Sequence, residues 1–139
     1  MRSNAILAVL VAFALALPAA AADKKKTAVH KITQSVSYLM IDPIYTTIMD
    51  NNKPTGLLMI GIGLDVPNAD LRGQTEQVMP VLRDAYVRAL LAYTAASVRS
   101  WRQPDVGEIA DRLQRVTDRT LKHGGARILL AQVAMRLTK

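Results

Sequence analysis

The stretch Ile44-Tyr45-Thr46-Thr47-Ile48-Met49-Asp50-Asn51-Asn52-Lys53-Pro54-Thr55-Gly56-Leu57-Leu58-Met59-Ile60-Gly61-Ile62-Gly63-Leu64-Asp65-Val66 decides the fold. Its first five residues are β-branched or aromatic, the composition of a strand core. Asp50 to Pro54 is a cluster of turn formers. Beyond it, Leu58, Ile60, Ile62, Leu64 and Val66 are apolar at every even position, so period two places them on one buried face. Met59, Gly61, Gly63 and Asp65 fall on the other. Two such strands joined by a short turn form an antiparallel β-hairpin. The first strand extends back to Ser35, and Pro43 within it removes a ladder donor. That strand therefore lies at an edge or breaks at Pro43.

Gly61-Ile62-Gly63 is not a nucleotide loop. A dinucleotide fingerprint needs a third glycine and a helix starting directly after the strand. Here Leu64-Asp65-Val66-Pro67 follows, and two glycines on one strand face mark a bend or close packing.

Downstream, Asn68 to Arg72 reads as a polar connection, and a helix is expected over Thr75–Arg99. Val78, Leu82, Ala85, Ala89 and Ala96 share its apolar stripe, with Val81, Leu90 and Tyr93 beside it. Pro80 either starts the helix proper or kinks it. After Trp101-Arg102-Gln103-Pro104, Asp105 is suited to cap a second helix, with Glu108 completing a capping-box pattern. This helix runs to Lys122 and buries Ile109, Leu113, Val116 and Thr120. His123-Gly124-Gly125 ends it, with glycine taking the left-handed cap position. Ile128 to Leu137 is a last strand whose odd positions, Leu129, Ala131, Val133, Met135 and Leu137, are all apolar. The expected fold is α+β, a three-stranded antiparallel sheet with two helices in the order strand-strand-helix-helix-strand.

Upstream, Met1-Arg2 followed by an apolar run from Ala5 to Leu17, then Pro18 and Ala19 to Ala22, has the layout of a secretory signal peptide. Cleavage is expected between Ala22 and Asp23. The alternative is an uncleaved inner-membrane anchor, for which the run falls short of the roughly 20 apolar residues a span needs. The expected organisation is a signal over residues 1–22, a flexible basic leader over 23–34, and one domain over 35–139. Loss of Arg2 would lower the formal charge from +7 to +6. Lys24, Lys25 and Lys26 in the leader read as a solvated tail or as a weak contact with an anionic membrane surface.

There is no cysteine, which excludes disulfides, thiolate metal sites and cysteine nucleophiles. Periplasmic localisation fits an exported domain of this kind. Export, and the presence of one Phe and one Trp, argue against nucleic acid as a partner. His30 and His123 lack the spacing of a metal pair, no nucleophile elbow is present, and Asp42, Asp50, Asp65 and Asp70 sit at strand ends and turns. No cofactor, metal or catalytic residue is expected, and the chain reads as non-enzymatic. Arg112, Arg115, Arg119 and Lys122 mark a basic stripe on the second helix. Glu108, Asp111 and Asp118, each four residues before a cation of that stripe, give the pairs of a solvated surface.

Val78-Met79-Pro80-Val81-Leu82-Arg83-Asp84-Ala85 heads the first helix, with Leu57–Val66 before it and Ile128–Leu137 closing the chain. In these segments the chain resembles the flagellar basal-body-associated FliL family, over Tyr38 to Leu137. The resemblance implies a stomatin-type periplasmic domain that self-associates and supports the stator units of the flagellar motor. It carries over Pro80, Arg83 and Asp84, and no catalytic residue. Arg83, Asp84, Arg112, Arg115 and Arg119 are the candidate partner-binding residues. A cleavable signal departs from the family's transmembrane helix, and the aliphatic closing strand departs from its aromatic one. The alternative function is a freestanding periplasmic module that binds a small apolar ligand or an envelope protein.

Overall fold

The computed structural model describes residues 35–138. The expected cleavage point at Ala22 and Asp23, the lysines Lys24, Lys25 and Lys26, and His30 lie outside the described residues. The elements are β1 (Tyr38–Asp50), β2 (Lys53–Asp65), α1 (Ala69–Gln77), α2 (Met79–Ser97), α3 (Val106–Leu121) and β3 (Arg127–Leu137). They build an α+β fold with a three-stranded antiparallel sheet in the order β1-β2-β3.

The hairpin forms where the turn chemistry places it. Asp50 opposes Lys53, and the two residues between, Asn51 and Asn52, have φ of 48° and 63°. A two-residue turn with both central residues left-handed matches the twist of the flanking strands, and Asn tolerates that conformation. Pro43 satisfies both conditions set by its missing donor. It lies on an edge strand, and Asp42-Pro43 bulges between the Ile41–Ile62 and Ile44–Ile60 pairs.

One side of the sheet is the core. Leu58, Ile60, Ile62, Leu64 and Val66 are at most 1% exposed, as their alternation predicts. Ile41, Ile44 and Ile48 of β1 join them. α2 packs against β1 and α3 against β3. Each such side chain, once buried, contributes about 1.5–3 kcal/mol.

The parity expected for β3 holds only in its second half. Ile62 opposes Leu130 and Gly61 opposes Gln132, so Ala131 is an extra residue. The bulge switches the core-facing set from Ile128 and Leu130 to Val133 and Met135. Leu129 therefore turns to the opposite face and Ala131 is exposed. Leu129-Leu130 is apolar in either phase, so the period alone could not locate the switch.

The segment read as a connection followed by one long helix is two helices. Asn68 Oδ1 accepts from Leu71 N–H at 2.8 Å and starts α1. Pro80 lacks the N–H that would bond Glu76 C=O, so the ladder ends and α2 begins with Pro80 in its first turn. The buried side of α2 is Leu82, Tyr86, Leu90, Tyr93 and Thr94. Val81 and Ala96 of the expected stripe are exposed, while Ala85 and Ala89 are half-buried. The larger apolar surface of Tyr86 outweighs that of Ala85 and sets the rotation of the helix.

α3 starts at the expected cap, with Asp105 Oδ1 accepting from Glu108 N–H at 3.0 Å, but the reciprocal half of the capping box does not form: Asp105 N–H bonds the Tyr93 hydroxyl and Glu108 pairs with Arg112. Ile109, Leu113 and Val116 are buried, and Thr117 and Leu121 join them. Its left-handed cap is Lys122 at φ 57°, in place of the expected glycine; Gly125 takes positive φ three residues later.

Hydroxyl pairs cross the core. Thr46 Oγ1 and Thr94 Oγ1 lie 2.7 Å apart and join β1 to α2. Thr117 donates its one hydroxyl proton to Leu113 C=O at 2.8 Å, so Tyr86 is the donor in the 2.6 Å Tyr86–Thr117 bond. Burial pushes the Tyr86 phenol up to about 12. Gln114 binds the outer edge of β3 by both ends of its amide, Nε2 to Ala126 C=O at 2.8 Å and Oε1 from Ile128 N–H at 2.9 Å.

Candidate interaction surface

The helices cover one side of the sheet, and the other carries side chains an antiparallel sheet ordinarily keeps polar. Met40 is 75% exposed and Tyr45 59%, with Met49 and Leu57 also exposed. Register puts them on one face. Met40 opposes Gly63, Tyr45 opposes Met59, and Met49 opposes Pro54. Leu129 and Ala134 extend the face onto β3. Gly63 is flat because the Tyr38 ring lies across it, where any Cβ would meet the ring. That is the close packing anticipated, at Gly63; Gly61 lies instead beside the bulge between β2 and β3, where a Cβ would make ordinary contact. The polar members are Thr47 between Tyr45 and Met49, Asp65 paired with Arg127 at 3.1 Å, Gln132 and Arg136 on β3, and Asp42 in the β1 bulge. Exposed apolar side chains gathered on one face, rather than scattered singly, make this face the candidate interaction surface. The signal for it was present in Ile44–Met49, where neither alternating set is charged.

The residues singled out for partner binding differ in how far they are engaged within the protein. Arg83 is exposed on α2, but Asp84 pairs with Arg88 one turn on. Arg112 is anchored, with a 3.1 Å ion pair to Glu108 and its guanidinium 5.5 Å from the Tyr93 ring centroid. Arg115 and Arg119 are exposed on α3, where Arg119 Nε donates to the Arg115 carbonyl at 3.1 Å. Of the three i,i+4 pairs expected on this helix, Glu108–Arg112 forms. Asp118 accepts from Gln114 instead, at 2.9 Å, and Lys122 has left the helical path. Arg88 and Arg119 line a shallow groove between α2 and α3.

Tyr93 joins α2 to the start of α3. Its hydroxyl accepts from Asp105 N–H at 3.1 Å and donates to Asp105 C=O at 3.4 Å, and burial raises its pKa. Asp50 does comparable work at the hairpin tip. Its Oδ2 accepts from Ser100 N–H at 3.1 Å and Thr55 hydroxyl at 3.0 Å, while the buried Oδ1 has no partner. Hydrogen bonding from Ser100, aided by Thr55, holds the carboxyl below the usual range against the opposing effect of burial.

The four acids noted at strand ends and turns occupy separate positions in the fold. Asp50 is at the hairpin tip, Asp65 at the far end of β2, Asp42 in the β1 bulge and Asp70 in the first turn of α1. Among the described residues no group of three or more His, Cys, Asp or Glu could hold a metal ion. No described helix is long and apolar enough to cross a membrane. Of the seven net positive charges, five arise outside residues 35–138, from Arg2, Lys24, Lys25, Lys26, Lys31 and Lys139 set against Asp23. The described domain is thus close to neutral, at +2, and its charge is local rather than global. No protein-family model matches the chain, and a search of curated proteins finds no match.

Proposed function

We propose that this chain is a non-enzymatic, exported protein of the bacterial envelope that acts by docking protein partners on the open face of its sheet. The observation that carries the reading is the apolar surface of Met40, Tyr45, Met49 and Leu57 on the side opposite the helices. Within that class, the resemblance to the FliL family supports a periplasmic accessory of the flagellar basal body, with stator components or further copies of the chain as partners. Pro80 in the first turn of α2 fits the family pattern at its most recognisable segment. Asp84 is paired with Arg88 on the exposed surface of α2.

The alternative, a module enclosing a small apolar ligand between sheet and helices, has less support. That space is filled by Leu58, Ile60, Ile62, Leu82, Tyr86, Leu90 and Leu113, and is crossed by two hydroxyl pairs.

In-cell crosslinking of the tagged chain, compared with a Met40→Ser/Tyr45→Ser variant, tests the proposal. Capture of motor components by the wild type, lost in the variant at unchanged melting temperature, is the expected result. Capture that survives the substitutions would sink the open face as the docking surface. Capture without any basal-body protein would sink the flagellar role.

A further inference from the structure

The hairpin end of the molecule gathers a second surface, chemically unlike the open face. The segment between α2 and α3 is tied to the hairpin tip by the bond from Ser100 N–H to Asp50. Arg102 N–H closes back on Arg99 C=O at 3.2 Å, so Ser100-Trp101 forms the apex of a tight turn. Trp101 stands 74% exposed there. The end of β3 arrives at the same place. Leu137 opposes Gly56, Arg136 opposes Leu57, and Thr138 N–H bonds Thr55 C=O at 2.9 Å. Leu137 is 49% exposed, and Lys53 is exposed at the turn itself.

The charges at this end are unequal in a specific way. Among the described residues, the side-chain carboxylates nearest to it are engaged within the protein. Asp50 is buried and accepts from Ser100 and Thr55, Asp105 caps α3, and Glu108 pairs with Arg112. Arg99 is spent on the carbonyls of Ala95, Ala96 and Val98 at the end of α2. Lys53, Arg102 and Arg136 belong to none of the three ion pairs among the described residues. Among the described residues, what remains outside those bonds is a tryptophan and a leucine at the tip, with Lys53 on the turn, Arg102 next to Trp101 in the chain, and Arg136 at the corner shared with the open face.

The geometry points to this end as a docking site for an anionic phospholipid surface. Tryptophan suits the bilayer interface because its ring is apolar and its N–H is polar. Flanking Arg and Lys reach headgroup phosphates while their stems stay in apolar surroundings. A second copy of the chain would present the same uncommitted cations, so charge disfavours self-pairing here. Among the described residues the chain enters at Ser35, and β1 carries it along the sheet from Tyr38 to the tip.

Trp101 is the single tryptophan of the chain, so its fluorescence reports on this surface alone. The protein as cells export it would be mixed with vesicles of equal parts phosphatidylglycerol and phosphatidylcholine, and with phosphatidylcholine vesicles. The expected result is a blue-shifted emission and co-sedimentation with the anionic vesicles only. Binding should fall about tenfold or more in a Lys53→Glu/Arg102→Glu/Arg136→Glu variant that melts normally. Should that variant fail to fold, Arg102→Glu alone should weaken binding several-fold. Unchanged Trp101 emission would overturn the inference. So would binding abolished by Lys24→Gln/Lys25→Gln/Lys26→Gln yet indifferent to the tip substitutions. An equal blue shift with soluble polyglutamate and none with the vesicles would assign the tip to an acidic protein instead.

Discussion

The two faces of the sheet come from the same three strands, yet they differ in what their side chains do. On the helix side, Leu58, Ile60, Ile62 and Leu64 are sealed under α2 and α3. On the other, Met40, Tyr45, Met49 and Leu57 have comparable apolar character and no described element over them. Large apolar side chains stand on both faces; the position of the helices decides which of them are sealed. The contrast teaches that apolar residues hold a fold only where something packs on them. Where nothing does, they are available to a partner. The helix face accordingly carries stability, and the open face carries the proposed function.

Truncating the centre of the helix face should have the largest effect. Leu58→Ala is expected to lose about 3 kcal/mol by denaturant unfolding, because it opens a cavity at a fully buried position. A loss under about 1 kcal/mol would show the core to be more plastic than its packing implies. Glycine substitutions compare the faces next. A Cβ at Gly56 would meet the Arg136 carbonyl of the neighbouring strand at 2.6 Å, so Gly56→Ala should push β3 away and cost about 2 kcal/mol. At Gly63 the obstacle is the Tyr38 ring, which can swing toward solvent, and Gly63→Ala should cost about half as much. In a Tyr38→Ala background that cost should nearly vanish, a coupling a double-mutant cycle reads directly.

Tyr86→Phe keeps the ring but leaves Thr117 Oγ1 without its donor, for an expected loss of about 1 kcal/mol. The same residue sets an alkaline limit. Its folded pKa of about 12 lies above the ordinary 10, so the neutral phenol contributes stability fully below pH 10. That contribution is lost as pH rises toward 12. Melting temperature should therefore fall across this window in the wild type, and fall less in Tyr86→Phe. The smallest change in stability belongs to the open face. Tyr45→Ser should shift unfolding by no more than about 0.5 kcal/mol while reducing partner capture. A large loss of stability there would erase the distinction between the faces.

Much of the hairpin was legible because its determinants are local. Asn51-Asn52 suits a turn with two left-handed residues, and the even positions from Leu58 to Val66 define one face without help from elsewhere. The caps at Asp105 and Pro80 were legible for the same reason: each acts within one helical turn. The phase of β3 was not, since Leu129 and Leu130 satisfy either face and only pairing with Gly61 and Ile62 sets the bulge at Ala131. The short helix α1 was hidden by its polar composition, and Tyr86 was passed over in favour of the alanines beside it.

The interaction surfaces divide in the same way. The sequence by itself determined the cysteine-free composition, the hairpin, the order of strands and helices, and the concentration of charge outside the domain. Those properties follow from residue chemistry and from periods of a few residues. Tertiary structure alone decided that the helices share one side of the sheet and leave Met40 and Tyr45 uncovered. It also decided that Arg112 is spent on Glu108 and Tyr93, and that the turn carrying Trp101 and the end of β3 reach the hairpin end of the sheet. Which charges remain free and which apolar side chains remain bare depends on neighbours distant in the chain, and no local pattern encodes their positions.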